Sequence, residues 1–331
     1  MFKQLIVLLD TKTISYCYYE VGERESSAIP LDTLKAGIIF AMKENLSVQF
    51  VYPDYKLPQE YEQLISSIDC VRIKPISMAD DYTDVAIIDG WDKKLLEKSY
   101  SQPIAYVMRL KKNDFFENIS PILETLKKNN RINFTICDVD TFTKEDFARY
   151  QDCLQTTVNV LSEAASKGSC PQTNILTDRL LLKSMNNCNA GVENVTLAPN
   201  GNFYVCPAFY YAGECNGTER YQNEVCQKGY NIGSVWTGID LKNPQLYQID
   251  NAPICSHCDA FHCKRCIWLN RKTTLEVNTP SHEQCVAAHL ERNASKKLLD
   301  ALKEQGHIPS EIMIDEIDYL DPFEKRKEWY Q

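Results

Sequence analysis

Seven cysteines in the second half of this chain sit at spacings that suit metal chemistry. Cys188 and Cys206 bracket the segment CNAGVENVTLAPNGNFYVC, Cys255, Cys258, Cys263 and Cys266 lie in CSHCDAFHCKRC, and Cys285 follows in HEQC. A two-residue gap lets consecutive sulfurs turn onto one metal centre, so thiolates grouped this way act as ligands more often than as packing residues. Zinc and iron–sulfur sites share such spacing, and the residues alone leave both open. His257 and His262 fall inside the cysteine block and His282 precedes Cys285 by three residues; the expectation is that they pack beside a centre as hydrogen-bond donors. His289 and His307 complete the five histidines. Arg265, Arg271 and Lys272 add positive charge that would stabilise an anionic centre or simply face solvent.

The elements that must carry these residues follow from hydrophobic period. The first ~170 residues alternate strand-like and helix-like stretches, the pattern of an α/β layer with a parallel sheet. Strands are expected at Gln4–Leu9, Val48–Tyr52, Val71–Ile76, Val85–Ile88, Ile104–Val107 and Ile132–Ile136, with helices at Leu31–Lys43, Glu60–Ser67, Asp114–Lys128 and Lys144–Ala165. Thr143 with Asp146 reads as the N-terminal cap of the last helix, and Gly168 and Pro171 end it. From Ser169 cysteine, aromatic and Gly/Asn turn signals rise; Asn200-Gly201 predicts a tight hairpin. A metal-organised region of short hairpins from about Cys170 to Cys285 is expected, then a helix over Val286–Lys303 and a charged tail. Asp89-Gly90 reads as a turn, and Asp140 or Thr141 as a helix cap rather than a functional carboxylate.

Bulk properties exclude several classes. At 331 residues, 44% hydrophobic and 24% charged, the chain is of globular composition and long enough for two domains. A net charge of −9 argues against nucleic acid as the main partner. No apolar run approaches the ~20 residues of a membrane helix, and MFKQLIVLLD reads as a buried first strand rather than a signal peptide. Fourteen cysteines with no export signal fit a reducing compartment, so a cytoplasmic location is expected and the glycosylation pattern at Asn216 is idle. No phosphate loop, dinucleotide fingerprint or nucleophile elbow occurs.

Counted out, the pattern is Cys-x12-Gly-x4-Cys, then Cys-x2-Cys-x4-Cys-x2-Cys, then Cys. With CNAGVENVTLAPNGNFYVCPAF and the stretch Asn231 to Trp236, it resembles the SPASM domain, the C-terminal extension of many radical-SAM enzymes that mature peptides. The last block departs from the family, which usually has five and then three residues where this chain has four and two. The resemblance implies two [4Fe-4S] clusters, one sharing Cys188, Cys206 and Cys266, the other held by Cys255, Cys258, Cys263 and Cys285. The first is then one ligand short, with Cys170, Cys215, Cys226 or an open iron site as candidates. Zinc remains the alternative.

A radical-SAM enzyme needs Cys-x3-Cys-x2-Cys after its first strand, whereas the loop here reads DTKTISYCYYEVGE with Cys17 alone; Cys70, Cys137 and Cys153 are scattered and read as small core residues. A SPASM-like part behind an α/β domain without that motif is similar to the CXXX repeat peptide maturase family. The fold this implies is α/β: a degenerate radical-SAM-like partial (β/α) barrel over 1–169, a SPASM-like iron–sulfur domain over 170–290, and a C-terminal helix and charged tail over 291–331. The function it implies is maturation of a ribosomally made cysteine-repeat peptide alongside a separate radical-SAM peptide maturase, by electron relay or precursor binding. No catalytic residue is assigned. A zinc-holding, non-catalytic interaction module is the alternative, and an independent enzyme on the α/β domain has no positive support.

Overall fold

Runs of apolar residues five or six long, separated by amphipathic helices, build the expected α/β class with parallel strands. The computed structural model describes residues 2–92, 100–212 and 230–314, so Cys215, Cys226, Asn216 and the tail beyond Ile314 lie outside the described residues. The chain packs as two units, each drawn from two stretches: 1–87 with 189–248, and 88–188 with 249–331. This interleaving differs from the sequential division expected from composition.

The first unit holds β1 (Gln4–Leu8), β2 (Ser47–Val51), β3 (Cys70–Pro75) and most of β4 (Val85–Asp89), all parallel. On the other side of β1, β7 (Asn194–Leu197) pairs parallel through Leu5↔Val195 and Val7↔Leu197, and β8 (Phe203–Tyr204) folds back antiparallel. Leu5, Val7 and Leu8 are fully buried on this central strand, each contributing about 1.5–3 kcal/mol of burial. The β7–β8 connection is the predicted hairpin: Gly201 takes φ 79°, a conformation that costs glycine nothing, and the Asn200 side-chain oxygen accepts from the Asn202 amide at 3.1 Å. Helix α1 (Leu31–Lys43) covers the sheet, with α2 (Gln59–Ile65) between β2 and β3. A short helix α6 (Pro207–Ala212) and a two-stranded ribbon, β9 (Gly233–Ser234) with β10 (Gly238–Ile239), complete the unit.

The second unit contains β5 (Ala105–Leu110) and β6 (Ile132–Ile136), parallel in register Met108↔Phe134. The single helix expected over Asp114–Lys128 is two, α3 (Lys112–Glu117) and α4 (Ile119–Lys128). Pro121 explains the break: proline has no N–H to continue a helix and is tolerated only in a first turn, which here belongs to α4. Helix α5 (Lys144–Ser166) opens on the predicted cap, a reciprocal pair between Thr143 and Asp146. An aromatic core of Phe115, Phe116, Phe134, Phe142 and Tyr150 joins these helices to β6. The long C-terminal helix spans His282–Glu304, starting before the expected Val286, because the Ser281 hydroxyl caps the Gln284 amide; it packs along α5.

Candidate metal centre

After β1 the chain enters a loop in the first unit that turns around Asp10. Asp10 is fully buried; Oδ1 accepts from the Lys12 amide at 2.7 Å, the Ser26 hydroxyl at 2.9 Å and the Ser27 amide at 3.2 Å, while Oδ2 accepts from the Tyr55 hydroxyl at 2.6 Å. Burial, with Asp10 as hydrogen-bond partner, pushes the Tyr55 phenol up to about 12. Further along, Tyr19 stacks on Tyr211 at 5.4 Å between ring centres, Thr13 and Tyr211 share a hydroxyl hydrogen bond at 2.8 Å, and the Arg24 guanidinium lies over the Tyr210 and Tyr211 rings. Cys17, the lone cysteine here, is partly buried. Aromatic packing and an Asp10-centred turn fill the loop that follows β1.

The cysteine block folds differently. A 3₁₀ turn at Cys255–His257 leads through Cys258 and Cys263 to helix α7 (Ile267–Thr274), and Cys285 sits in the first turn of α8 (His282–Glu304). Cys255, Cys258, Cys263 and Cys285 line one internal cavity of about 20 Å³, with Arg265, Gln284 and His289 among the other lining residues. Those are the four thiols that the family resemblance assigns to one cluster. Backbone amides point at the sulfurs: Ala260 N–H at Cys258 Sγ and Arg265 N–H at Cys263 Sγ, both at 3.4 Å. Amide-to-sulfur bonds of this kind tune metal–thiolate sites. Among the described residues no three His, Cys, Asp or Glu side chains converge closely enough to hold a single ion.

Electrostatics in this region combine burial with cations. Burial raises the Cys255 thiol, against the pull of the nearby Arg265 guanidinium, and pushes Cys258 and Cys263 up to about 12. Without a metal these thiols are therefore neutral, and each must lose its proton to become a ligand. Three buried arginines stand around them. Arg265, at 4% exposure, adopts φ 41°, a left-handed conformation an L-residue takes only under constraint. Arg292 donates to Asp259 Oδ2 at 2.6 Å, and Arg179 pairs with Glu291, which also accepts from the Tyr150 hydroxyl at 2.6 Å. Arg265 thus joins the thiols, whereas Lys272 forms an ion pair with Asp140 at 2.6 Å and Arg271 is partly exposed. Asp140 caps no helix: that task belongs to Thr143.

The remaining predicted residues are distributed more widely. Cys266 is buried and caps α7, its sulfur accepting from the Leu269 amide at 3.4 Å. Cys188 is exposed and closes the second unit's first stretch, its amide donating to the Lys264 carbonyl at 3.4 Å; Cys170 is exposed. Cys206 belongs to the first unit. His257 is exposed, and His262 stands 3.6 Å from Asp178, its pKa lowered to about 4 by burial and by Arg179. The histidine that reaches the thiols is His289, 1% exposed, with Nε2 3.4 Å from Cys258 Sγ. Its signal in the sequence is Cys285-x3-His289, a spacing that sets both on one helix face.

No family model and no curated protein matches this sequence. Among solved structures, a tagged anSMEcpe with bound AdoMet superposes with TM-score 0.58 at 12% identity, covering 93% of this chain and 97% of that one. Native anSMEcpe with bound AdoMet and the Cp18Cys peptide gives 0.55 at 11%, covering 92% and 97%. The same protein with the Kp18Cys peptide gives 0.55 at 12%, covering 92% and 97%. The anSME proteins are anaerobic sulfatase-maturating radical-SAM enzymes with a SPASM domain. At such identity the likeness speaks for the fold: this chain shares a mixed α/β architecture with a parallel sheet with these structures along nearly its whole length.

Proposed function

We propose that this chain takes part in maturing a ribosomally made, cysteine-repeat (CXXX) peptide, as an iron–sulfur subunit working with a separate radical-SAM enzyme. The observation that carries the reading is the convergence of Cys255, Cys258, Cys263 and Cys285 on one cavity beside the buried Arg265. A polynuclear group, whose thiolates bond different irons, suits thiols that border a space, and the guanidinium suits its net negative charge. The fold shared with a maturase whose structures hold bound peptides supports peptide as the substrate class. The solitary Cys17 supports a division of labour in which another chain generates the radical. Cys188, Cys206 and Cys266 are proposed for a second cluster, completed by Cys170, Cys215, Cys226 or an open iron that would accept a substrate thiolate. Bound there, such clusters would supply electron transfer or a grip on the precursor peptide.

A second reading is a zinc-stabilised interaction module. One observation favours it: about 20 Å³ is room for about one water-sized body, the scale of a single ion. Anaerobic purification distinguishes the two. Brown protein with about eight irons per chain, as two four-iron clusters require, fits the first. Colourless protein with stoichiometric zinc would sink it. Co-purification with a synthetic cysteine-repeat peptide, compared with the same peptide with Ser at each Cys, tests the substrate class; equal retention of both would count against thiol recognition.

A further inference from the structure

The cavity offers five donors, the four cysteine sulfurs and the His289 imidazole, where a four-ligand centre uses four. Two of the five share a corner: Cys258 Sγ and His289 Nε2 lie 3.4 Å apart. Ligands of one tetrahedral metal, at about 2.3 Å for sulfur and about 2.1 Å for nitrogen, stand about 3.6 Å from each other. A separation of 3.4 Å is thus that of two neighbouring ligands of one metal, or of an N–H···S hydrogen bond, and it sets the imidazole beside the corner that Cys258 serves, where a side-chain shift would bring it into the place of a missing sulfur. The imidazole is held there by a long helix whose first turn carries Cys285, so it does not depend on the loop bearing the other thiols. A second observation points to a ligand in this space. Gln284 lines the cavity at 5% exposure with its amide nitrogen 3.9 Å from Cys263 Sγ, and its Oε1 is buried without a hydrogen-bond partner. A buried orphan acceptor is costly unless something polar fills the space it faces.

We propose that His289 is a reserve ligand at the Cys258 corner: it hydrogen-bonds the Cys258 sulfur in the wild-type centre and bonds the metal directly when that sulfur is absent. Among the described residues no second histidine lines the cavity to do the same for Cys255, Cys263 or Cys285. This rests on the reading that the cavity binds metal. The test uses the full chain, purified anaerobically, with iron and zinc per chain measured alongside far-ultraviolet circular dichroism and pulsed-EPR detection of ¹⁴N coupling in the reduced centre. Cys258→Ala, with Cys258→Ser as a second variant in case alanine misfolds, should keep most of its metal and gain nitrogen coupling. Cys263→Ala should lose it. The pair Cys258→Ala with His289→Ala should lose it too, and His289→Ala alone should hold metal about 10- to 100-fold less tightly, as removal of a supporting partner does. Equal metal loss in folded Cys258→Ala and Cys263→Ala overturns the proposal, as does undiminished metal in the double variant. Metal-free wild-type protein instead overturns the underlying reading, so the two failures are told apart.

Discussion

Burial makes Cys258 and Cys263 reluctant anions, with thiols pushed up to about 12, and this fixes the direction of their metal chemistry. Binding expels protons, and stripping the metal at neutral pH returns them, so chelation in weakly buffered solution should take up about one proton per released thiol once the protons that the chelator itself sheds on binding metal are subtracted. A proton-neutral chelation would contradict ligation by these sulfurs. Metal retention should improve as pH rises and fail as it drops, because protons compete for the same lone pairs. Cys153 makes the contrast: its thiol is also raised, to about 11, but by burial on a helix face within the core. Cys153→Ala should leave metal content unchanged, while Cys263→Ala should abolish it; elemental analysis of the two variants decides. Spacing singles out seven cysteines, and four of them, Cys255, Cys258, Cys263 and Cys285, line the cavity. For His289 the spacing Cys285-x3-His289 marks a shared helix face but not what that face meets. Its placement depends on α8 lying beside the 255–266 loop, a tertiary fact.

At the level of elements, sequence and structure agree where a local rule decides and diverge where it does not. Helix α1 and strand β6 have their expected bounds, and strands β1 to β5 lie within three residues of theirs, because apolar runs are encoded by neighbours in the chain. A single helix over Asp114–Lys128 has to run through Pro121, whose missing N–H instead sets a new helix start. The cap of α5 supports a pH prediction. Burial raises Asp146, but hydrogen bonds from Lys112 at 2.7 Å and from Thr143 outweigh it, and the net shift is downward. A carboxylate held below its unfolded value stabilises the fold above that value, near pH 4, and loses this contribution as pH falls through the folded pKa. Urea titrations at pH 7 and pH 3 should therefore show a smaller gap for Asp146→Asn than for the wild type; an unchanged gap would count against the cap. Thr143→Ala should cost about 1 kcal/mol at neutral pH.

For the whole molecule, interleaving has a practical consequence. Strand β1 is central only because β7, more than 180 residues later, pairs on its free side. A fragment ending at residue 169 would leave Leu5 to Leu8 on an open edge, so it should be insoluble or markedly less stable than the full chain; a soluble, cooperatively unfolding fragment 1–169 would contradict the assigned pairing. Composition misses this because it marks where residue usage changes, not which strands meet. The cavity's size sets another expectation. Filling about 20 Å³ with a four-iron group would require the 255–266 loop to shift, so hydrogen exchange there should change on iron loading while α5 stays constant. The proposed occupancy of the four-thiol cavity by iron and sulfide is decided by iron and acid-labile sulfide per chain in anaerobically purified protein, wild type against Cys255→Ala with Cys263→Ala. The expected result is brown wild-type protein with a loss of about four irons and four sulfides in the double variant; wild-type protein with stoichiometric zinc and no sulfide, or a double variant with undiminished iron, would contradict it.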